Sequence, residues 1–342
     1  MSYVTVEKRG RAGVIGLDRP KALNALDLSM IEDIAAALDR FEVDPAIEMV
    51  VLRSNHDKAF CSGGDMRRIR ELSLAGHYVE AEHFFRSEYA LNLRIASYSK
   101  PYVSMIDGIC MGGGLGLSMH GKYRIASENA VFAMPETAIG FFPDVGGSHF
   151  LSRMPHYAGY WMGLTGARVK GFDAHALGLS THMTPAETIS TVFEELCYSR
   201  DLAETIFRNY CWALGYQSSV LNLAILTLCF KLPTICSIED SLAKSKSANA
   251  KAAQHALQSA SPRSLLETLS LLKGGAWSTL KTCLEREFEA AQRAIRHPDL
   301  TEGVRAVLID KDHAPVWQSV APCLPAYNPC DFLETPRSQA LL

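Results

Sequence analysis

Two glycine-rich segments of the 342-residue chain have the composition of loops that bind an anion or an oxyanion. Residues 59–65 read AFCSGGD, and residues 108–116 read GICMGGGLG. Each segment follows a predicted strand and precedes a predicted helix, so each presents backbone N–H groups at the positive end of a helix. Donors in that position suit a phosphate, or the oxyanion that forms when a carbonyl is attacked.

Neither glycine segment matches a nucleotide-binding fingerprint. A GxGxxG pattern that starts at Gly112 requires Gly or Ala at the position of Leu117, and a start at Gly114 meets Met119 instead. No GK[ST] sequence follows either segment, which excludes a Walker A loop. Two interpretations stay open from these residues alone. The glycines permit close helix packing, or two backbone N–H groups converge on one carbonyl oxygen.

Two acidic residues lie in a third segment that is otherwise apolar, residues 134–147 (MPETAIGFFPDVGG). Burial among Met, Phe, Ile and Val would desolvate Glu136 and Asp144, which raises the pKa of a carboxyl and suits it to acid or base catalysis. The alternative is structural: Glu136 caps a turn, and Asp144 is the N-cap of a helix that begins at Val145.

A fourth candidate is Glu88, in a predicted helix that includes residues 84–92 (FFRSEYALN). Its alternative interpretation is a partner for a neighbouring Arg on the helix surface. Other catalytic motifs are missing from the sequence: there is no GxSxG elbow, no HExxH and no CxxC. Nine scattered cysteines indicate reduced cytosolic thiols rather than a disulfide framework or a zinc site, so we expect no metal.

Composition excludes several broad classes of function. The formal net charge is −3, which is not that of a nucleic-acid binder or a protein of anionic membrane surfaces. The longest apolar stretch, residues 220–230, is shorter than the roughly 20 residues of a membrane span. Residues 1–14 carry no secretory signal or transit peptide pattern. We therefore expect a cytoplasmic enzyme of bacterial type, and a processed mitochondrial form would fit as well.

Hydrophobic spacing predicts alternating strands and helices over the first half of the chain. Residues 3–6 and 13–17 predict a hairpin, and residues 28–42 an amphipathic helix with Asp27 or Ser29 as its N-cap. Further strands are predicted at residues 49–53, 101–106, 123–126 and 130–133, and further helices at residues 67–71, 77–98 and 113–120. This alternation predicts an α/β fold built of layers.

The pattern changes near residue 185. Residues 186–230, 238–258 and 263–296 are rich in Leu, Ala, Glu and Lys at helical spacing. We therefore predict an α/β core over residues 1–185 and a mostly helical region over residues 186–342. Four prolines predict a loose tail at the end of this region: Pro322, Pro325, Pro329 and Pro336.

Taken together and in this order, the segments resemble the crotonase (enoyl-CoA hydratase/isomerase) superfamily. The similarity begins at residues 17–26 (LDRPKALNAL) and continues through residues 59–65 and 112–114. It covers roughly residues 3–185. The resemblance implies a spiral of ββα units followed by helices, which binds acyl-CoA thioesters. It implies no separate cofactor, because CoA is part of the substrate.

Within the superfamily, the sequence is most similar to the hydrolases of 3-hydroxyisobutyryl-CoA. Residues 84–92, 134–147 and 302–312 (EGVRAVLIDKD) carry this similarity and extend it to almost the whole chain. The resemblance implies hydrolysis of the thioester to 3-hydroxyisobutyrate and CoA, a reaction of valine breakdown. Members of the superfamily often form trimers, so a homo-oligomer is a further expectation, while neither nucleic acid nor membrane is expected as a partner.

The resemblance also assigns roles to residues. It places the oxyanion hole at the backbone N–H groups of Gly64 and Gly113, and catalysis at Glu136 and Asp144. Glu88 is expected to meet the 3-hydroxyl group of the acyl chain. The remaining implied substrate-binding residues are Gly113, Lys21, Ala22 and Leu23, with Lys21 facing the phosphates of CoA.

One departure from the hydratase pattern decides the expected reaction. Hydratases carry a first catalytic glutamate where this chain has Gly116, and a glycine where it has Asp144. Hydration of a C=C bond needs water held between two acid/base groups, and that pair is missing, so hydrolysis by Glu136 and Asp144 is favoured. An isomerase, which needs one carboxylate, stays open. A catalytically silent acyl-CoA-binding protein is a third hypothesis, against which the retained carboxylates argue.

Overall fold

The structure is a computed structural model that describes residues 2–212 and 223–319. These residues contain ten strands and fifteen α-helices. The strands are β1 (Val4–Arg9), β2 (Ala12–Leu17), β3 (Met49–Ser54), β4 (Ala59–Cys61), β5 (Tyr102–Ile106), β6 (Ile109–Met111), β7 (Tyr123–Ala126), β8 (Val131–Ala133), β9 (Val169–Lys170) and β10 (His182–Met183). The helices are α1 (Leu28–Val43), α2 (Met66–Leu74), α3 (Tyr78–Ala96), α4 (Gly113–Met119), α5 (Gly147–Leu151), α6 (Ala158–Thr165), α7 (Gly171–Ala176), α8 (Ile189–Tyr198), α9 (Ala203–Tyr210), α10 (Leu223–Phe230), α11 (Ile235–Ala243), α12 (Ala248–Ser259), α13 (Pro262–Gly275), α14 (Leu280–Ala294) and α15 (Pro298–Val304).

The strands form a six-stranded and a four-stranded sheet. The larger sheet has the order β1-β2-β3-β5-β7-β10, and the smaller has the order β4-β6-β8-β9. In the larger sheet β1 and β2 are an antiparallel hairpin, and the neighbouring pairs from β2 to β10 are parallel. Every residue of β2 and β5 is buried, as expected of parallel strands covered on both faces. The predicted α/β class is confirmed.

The hydrophobic core of the larger sheet shows why its strands are rich in β-branched and apolar residues. Side chains from one face of the sheet pack against α8 and α9. The members of this core are Ala12, Val14, Met49, Val51, Val103, Met105, Tyr123, Ile125, Val192, Phe193, Leu196, Cys197, Ile206 and Phe207. Residues i and i+2 of each strand share this face, which is the period expected of a strand.

Helix α1 follows from its sequence with little error. The Asp27 side chain accepts a hydrogen bond from the Met30 N–H at 2.9 Å, so Asp27 is the N-cap, as one of the two predicted candidates. The apolar residues at helical spacing, including Ile31, Ile34 and Leu38, are buried. The predicted helix over residues 28–42 is confirmed to within one residue.

The chain folds into two compact units, each built from three stretches of sequence. The strand unit consists of Met1–Gly64, Leu91–Phe132 and Arg168–Leu221, and it holds nearly all of the strands. The helical unit consists of Asp65–Ala90, Ala133–Ala167 and Asn222–Leu342. The predicted boundary near residue 185, between an α/β core and a mostly helical region, rests on composition and stays a prediction. After β10, every described regular element is helical.

Several predicted boundaries need correction. The glycine segment at residues 59–65 begins with a strand, β4, rather than a loop. The helix expected from Val145 begins at Gly147, and the described part of residues 186–230 contains α8, α9 and α10, as the helical spacing there predicts. The proline-rich tail, together with Cys323 and Cys330, lies outside the described residues. Among the described helices, none combines the length and apolar character needed to cross a membrane.

Candidate functional site

The two glycine segments lie side by side in the strand unit. Strands β4 and β6 pair in parallel, so the loops that follow them leave the sheet at the same edge. A Cβ placed on Gly63 would lie 3.6 Å from the backbone nitrogen of Gly113. A Cβ on Gly114 would lie only 2.5 Å from the carbonyl oxygen of Cys61, which excludes any side chain there. The close approach of α4 to the Cys61 backbone therefore explains why residue 114 is a glycine. The same approach brings the two glycine segments together.

The predicted oxyanion-hole residues lie where these loops lead into helices α2 and α4. Gly113 is the first residue of α4. The N-cap of this helix is Gly112, which has φ 49° and no side chain with which to cap the helix. A first-turn N–H has no acceptor within its own helix. Gly64 forms an isolated parallel bridge with Leu26, whose N–H donates to the Gly63 carbonyl at 2.8 Å. The roles of Gly64 and Gly113 stay predictions.

Asn24 is a buried residue that fixes the first glycine segment and that sequence reasoning did not single out. Its side-chain amide donates to the Ser54 hydroxyl at 2.8 Å and to the carbonyl oxygens of Ala59 and Phe60 at 3.2 and 3.1 Å. Its side-chain oxygen accepts the Arg19 N–H at 2.8 Å. One side chain thus ties residues 19–24 to β3 and β4.

The predicted CoA-binding segment lies against the first glycine segment within the same unit. Residues 20–22 form a short 3-10 turn. The Ser62 N–H donates to the Leu23 carbonyl at 3.0 Å, and the Ser62 hydroxyl donates to the Ala22 carbonyl at 3.2 Å. Lys21 is exposed, a position from which an ammonium group can reach a phosphate.

Three of the predicted carboxyl groups are brought together in the helical unit. Glu88 lies on α3, Glu136 is the first residue of a 3-10 turn at Glu136–Ile139, and Asp144 lies in the loop before α5. Their exposed fractions are 2%, 8% and 6%. The alternative for Glu88, an ion pair on the helix surface, is wrong. Glu88 is buried, and its Oε1 atom has no hydrogen-bond partner among the described residues.

Burial dominates the electrostatics of this cluster. Desolvation first, and then the charge of Asp144, raises the pKa values of Glu88 and Glu136 well above their ordinary range. Desolvation raises the pKa of Asp144 to about 7, against the opposing effect of a hydrogen bond from Tyr89. Since each ionised carboxyl makes ionisation of the next one harder, the cluster holds a proton donor beside an acceptor near neutral pH.

Tyr89 holds the carboxyl group of Asp144. The tyrosine hydroxyl, fully buried, donates to Asp144 Oδ2 at 2.8 Å. Helix α5 has Gly146 as its N-cap and no side-chain cap, while Asp144 provides only its backbone carbonyl, which accepts the Gly147 N–H at 2.7 Å. The interpretation of Asp144 as a side-chain N-cap is therefore wrong in this structure.

Backbone contacts fix the turn that carries Glu136. The Thr137 carbonyl accepts the Ser261 N–H at 3.2 Å, and the Thr137 hydroxyl donates to the Leu164 carbonyl at 3.3 Å. Gly140 closes the turn at φ 72°, where an L residue would be strained. Glu136 Oε2 itself has no hydrogen-bond partner among the described residues. The turn is thus held while the carboxyl group is left to act.

Aromatic rings of the same unit supply the apolar surroundings. Phe85 stacks on Phe141 at 5.3 Å between ring centroids, and Phe141 stacks on Phe142 at 4.4 Å. Tyr89 meets Phe288 edge-on at 6.4 Å. Burial next to such rings lowers the local dielectric, which is the physical cause of the raised carboxyl pKa values.

A fourth buried carboxyl, Glu287 on α14, belongs to the same part of the helical unit. Burial raises the pKa of Glu287 to about 8, against hydrogen bonds from Ser148 and Gly146. The sequence contained a signal for it that was not used. Glu287 lies within the buried stripe of α14, beside Leu284 and Phe288, where an apolar residue is the norm.

Residues 302–312, which sequence reasoning singled out, form an ion-pair network in the helical unit. The Arg305 guanidinium contacts the carboxylates of Glu302 at 2.8 Å, Asp310 at 2.7 Å and Asp312 at 2.6 Å. Glu302 also accepts the Val316 N–H at 2.9 Å. These contacts fasten the end of the described chain to α15.

A second connection leads from the end of the described chain toward Glu136. The buried Asp299 accepts the Gln318 N–H at 2.9 Å and the Ser261 hydroxyl at 2.6 Å. The Ser261 N–H in turn donates to Thr137, next to Glu136.

Over residues 2–212 and 223–319, no group of three His, Cys, Asp or Glu side chains is arranged to hold a metal ion.

We expect the buried carboxyl of Asp144 to lower the free energy of unfolding as the pH rises. An unfolded aspartate has a pKa of about 3.9, whereas in the fold the pKa of Asp144 is about 7. The folded protein therefore binds more protons than the unfolded chain between about pH 4 and pH 7, so stability declines across that window. The carboxyl groups that face Asp144 electrostatically are Glu88, Glu136 and Glu287, while Tyr89, whose pKa is raised above its ordinary value, stays protonated in this window.

The measurement is the thermal midpoint of Asp144→Asn and of the unchanged protein at several pH values in that window. The variant should lose less stability than the unchanged protein as the pH rises from about 5 to about 7. Substitution of the exposed Asp57 by Asn should leave the slope unchanged. Equal slopes for Asp144→Asn and the unchanged protein would contradict the raised pKa.

Comparison with known sequences gives one family and a set of close relatives. The family model described as enoyl-CoA hydratase/isomerase matches residues 12–322. A Rattus norvegicus protein named 3-hydroxyisobutyryl-CoA hydrolase, mitochondrial, is 42% identical over 324 residues, which cover 92% of this chain and 84% of the relative. An Arabidopsis thaliana protein named 3-hydroxyisobutyryl-CoA hydrolase 1 is 40% identical over 330 residues, covering 93% and 87%.

Solved structures agree with the fold described above. A carnitinyl-CoA dehydratase from Mycobacterium thermoresistibile superposes with a TM-score of 0.87 at 32% identity, covering 93% of this chain and 92% of that one. An enoyl-CoA hydratase from Rhodobacter sphaeroides has a TM-score of 0.84 at 36% identity and covers 93% of each chain.

Proposed function

The chain belongs to the enoyl-CoA hydratase/isomerase family, and from that premise we propose that it hydrolyses the thioester of 3-hydroxyisobutyryl-CoA. The observation that carries the proposal is the buried group of Glu88, Glu136 and Asp144 in the helical unit. Burial raises the pKa values of all three above their ordinary range, which suits carboxyl groups to acid or base catalysis. Relatives about 40% identical over most of the chain are named for this activity.

Gly116 separates this reaction from hydration. It lies buried in α4 and brings no carboxylate, so the two-carboxylate arrangement that holds a water for addition to a C=C bond is incomplete. The similar solved structures, a carnitinyl-CoA dehydratase and an enoyl-CoA hydratase, share the fold of this chain, and a shared fold does not supply the missing carboxylate. Attack at the thioester needs only one carboxylate and a site for the oxyanion.

The first step places negative charge on the thioester oxygen. We assign its stabilisation to the N–H groups of Gly64 and Gly113, whose loops lie side by side. Removal of one such donor typically costs about 3 kcal/mol of barrier. Cleavage then expels CoA as a thiolate, which takes up a proton, and the acyl group leaves as the free acid.

Glu136 is the group assigned to the attack, by one of two routes. As nucleophile, its carboxylate forms an anhydride with the acyl group, which water then hydrolyses. As general base, it takes a proton from the attacking water. Glu136 Oε2 lacks a hydrogen-bond partner among the described residues, and this supports either route. Burial raises the pKa of Glu136, and the attack requires its ionised form. Asp144, with a pKa of about 7, orients the water or takes up the shared proton.

Glu88 is assigned to the 3-hydroxyl group of the acyl chain. Its unpartnered Oε1 atom is a buried acceptor that a substrate hydroxyl can satisfy. A site built to bond a substrate hydroxyl rejects the analogue that lacks it, because the buried polar group is then left unpaired. The same chemistry would favour short 3-hydroxyacyl chains over their unsubstituted analogues.

The experiment that tests the proposal follows free thiol and enoyl absorbance together over a panel of acyl-CoAs. We expect rapid CoA release from 3-hydroxyisobutyryl-CoA, slower release from isobutyryl-CoA, and no hydration of crotonyl-CoA. Hydration or double-bond migration without CoA release would move the protein to the hydratase or isomerase reaction. Binding of the thioesters without any turnover would leave it a non-catalytic acyl-CoA-binding protein.

The cellular location and the oligomeric state of the protein both stay predictions. The rat relative is named as mitochondrial, and the cytoplasmic location expected from the sequence stays a prediction. The expected homo-oligomer is likewise a prediction, which size-exclusion chromatography with light scattering would test.

A further inference from the structure

Glu287 makes all of its described hydrogen bonds to the segment that follows Asp144, at the N-cap and in the first turn of α5. It is 0% exposed on α14. Its Oε2 atom accepts the Gly146 N–H at 2.7 Å, and its Oε1 atom accepts the Ser148 N–H at 2.9 Å and the Ser148 hydroxyl. A carboxyl group 141 residues away in sequence therefore fixes the backbone between Asp144 and the first turn of α5.

The loop needs such a closure because its backbone is strained. Val145 has φ 53° and Gly146 has φ 81°, so two successive residues after Asp144 are in the left-handed region. A β-branched residue is a genuine outlier there, and a strained conformation of this kind persists only where the surroundings over-determine it. The bonds to Glu287 begin at the residue directly after Val145.

Asp144 is consequently held at two points within the helical unit. Tyr89 holds its carboxyl group through the hydrogen bond to Oδ2. The backbone that carries it turns sharply at Val145 and is then fixed by Glu287 through Gly146 and Ser148. The hydrogen bond from Tyr89 orients the carboxyl group of Asp144. The hydrogen bonds to Glu287 fix the backbone beside Asp144.

We propose that Glu287 is a positioning residue for thioester hydrolysis, which acts by holding the strained turn at Val145 so that Asp144 is presented to the substrate. The inference rests on the proposed function, because it requires Asp144 to take part in the reaction. In this proposal Glu287 acts through Asp144, by fixing the backbone that carries it. Burial first, and then the charge of Asp144, raises the pKa of Glu287.

The first test is Glu287→Gln. The amide keeps the volume of the side chain but has one acceptor oxygen in place of two, so one loop N–H faces an NH₂ group. We expect kcat to fall by about 10- to 100-fold, the scale of a misplacement of about 1 Å, with KM changed less than about threefold. A purely structural role would lower the thermal midpoint and leave kcat per folded molecule unchanged, which would overturn the proposal.

Two further variants serve as controls. Glu289→Gln removes a carboxyl from an exposed position of the same helix and should leave kcat, KM and thermal midpoint unchanged. Ser148→Ala removes only the hydroxyl donor to Glu287 and should lower kcat by a smaller factor than Glu287→Gln. If Glu287→Gln does not fold, Ser148→Ala takes its place in the cycle below.

The decisive measurement is a double-mutant cycle with Asp144→Asn. If Glu287 acts through Asp144, the double variant should be no slower than Asp144→Asn alone. Losses that multiply would show that Glu287 acts independently, and would overturn the inference while leaving the proposed function intact. Normal turnover by Asp144→Asn would instead contradict the role of Asp144 in the proposed function, and the inference would fall with it.

Discussion

Glu136→Gln should abolish thioester cleavage while leaving the binding of CoA esters nearly unchanged. The amide keeps the shape of the side chain but can act neither as nucleophile nor as base. The backbone of Thr137 holds the turn from outside the carboxyl group, so the substitution leaves those contacts in place. Because the pKa of Glu136 is raised by burial, loss of the carboxyl should not lower the thermal midpoint near neutral pH.

Steady-state turnover on 3-hydroxyisobutyryl-CoA and calorimetric binding of a non-hydrolysed CoA thioether measure the two quantities separately. The exposed Glu289→Gln variant is the matched control, since it makes the same chemical change away from the cluster. If Glu136→Gln keeps more than a tenth of the turnover, a loss below about 1.4 kcal/mol in the barrier, Glu136 is not the catalytic group.

Asp144→Gly should lower turnover by about 100-fold or more, the scale on which a positioned acid or base contributes. The substitution installs the glycine that the resemblance to the superfamily implies for hydratases at this position. An N-cap replaced by glycine would cost only a few tenths of a kcal/mol and leave hydrolysis normal. The structure argues against that cap, because the carboxyl of Asp144 is bound by Tyr89 instead.

Asp144→Asn separates the catalytic loss from the loss of packing. Glycine leaves the buried Tyr89 hydroxyl without an acceptor, which costs about 1–3 kcal/mol of stability, whereas asparagine keeps an oxygen for that bond. Both variants should be slow, and only Asp144→Gly should show a clearly lowered thermal midpoint. Normal hydrolysis by Asp144→Gly would give Asp144 a structural role and leave Glu136 to act alone.

Helices and strands were predictable from the sequence where the apolar residues follow one clear period and a capping residue marks an end of the element. Helix α1 has an unbroken apolar stripe and the Asp27 cap, and its predicted bounds are confirmed. Strands β4 and β6 have three residues each, too few for a period to register. The second sheet, and the assembly of each unit from three separate stretches of sequence, depend on contacts between distant segments, about which local patterns say nothing.

The carboxyl cluster was predictable only in part. Glu136 and Asp144 stand in an apolar segment, and that contrast predicted their burial. Glu88 lies in a helix that also carries charged residues, so its exposure depended on the orientation of α3 in the fold. Tyr89 holds Asp144 through one hydrogen bond, and Glu287 holds the backbone after Asp144 through Gly146 and Ser148; only the folded structure reveals these contacts.

The hydrogen bonds of Asp299 have a practical consequence for anyone who shortens this protein. Removal of residues beyond 310 would take away Gln318, which donates to Asp299, and Asp312, which pairs with Arg305. Asp299 is bonded to Ser261, which holds the backbone beside Glu136. A trimmed form made for crystallisation or fusion should therefore retain the chain through residue 318, since an earlier end point alters the support of the catalytic turn.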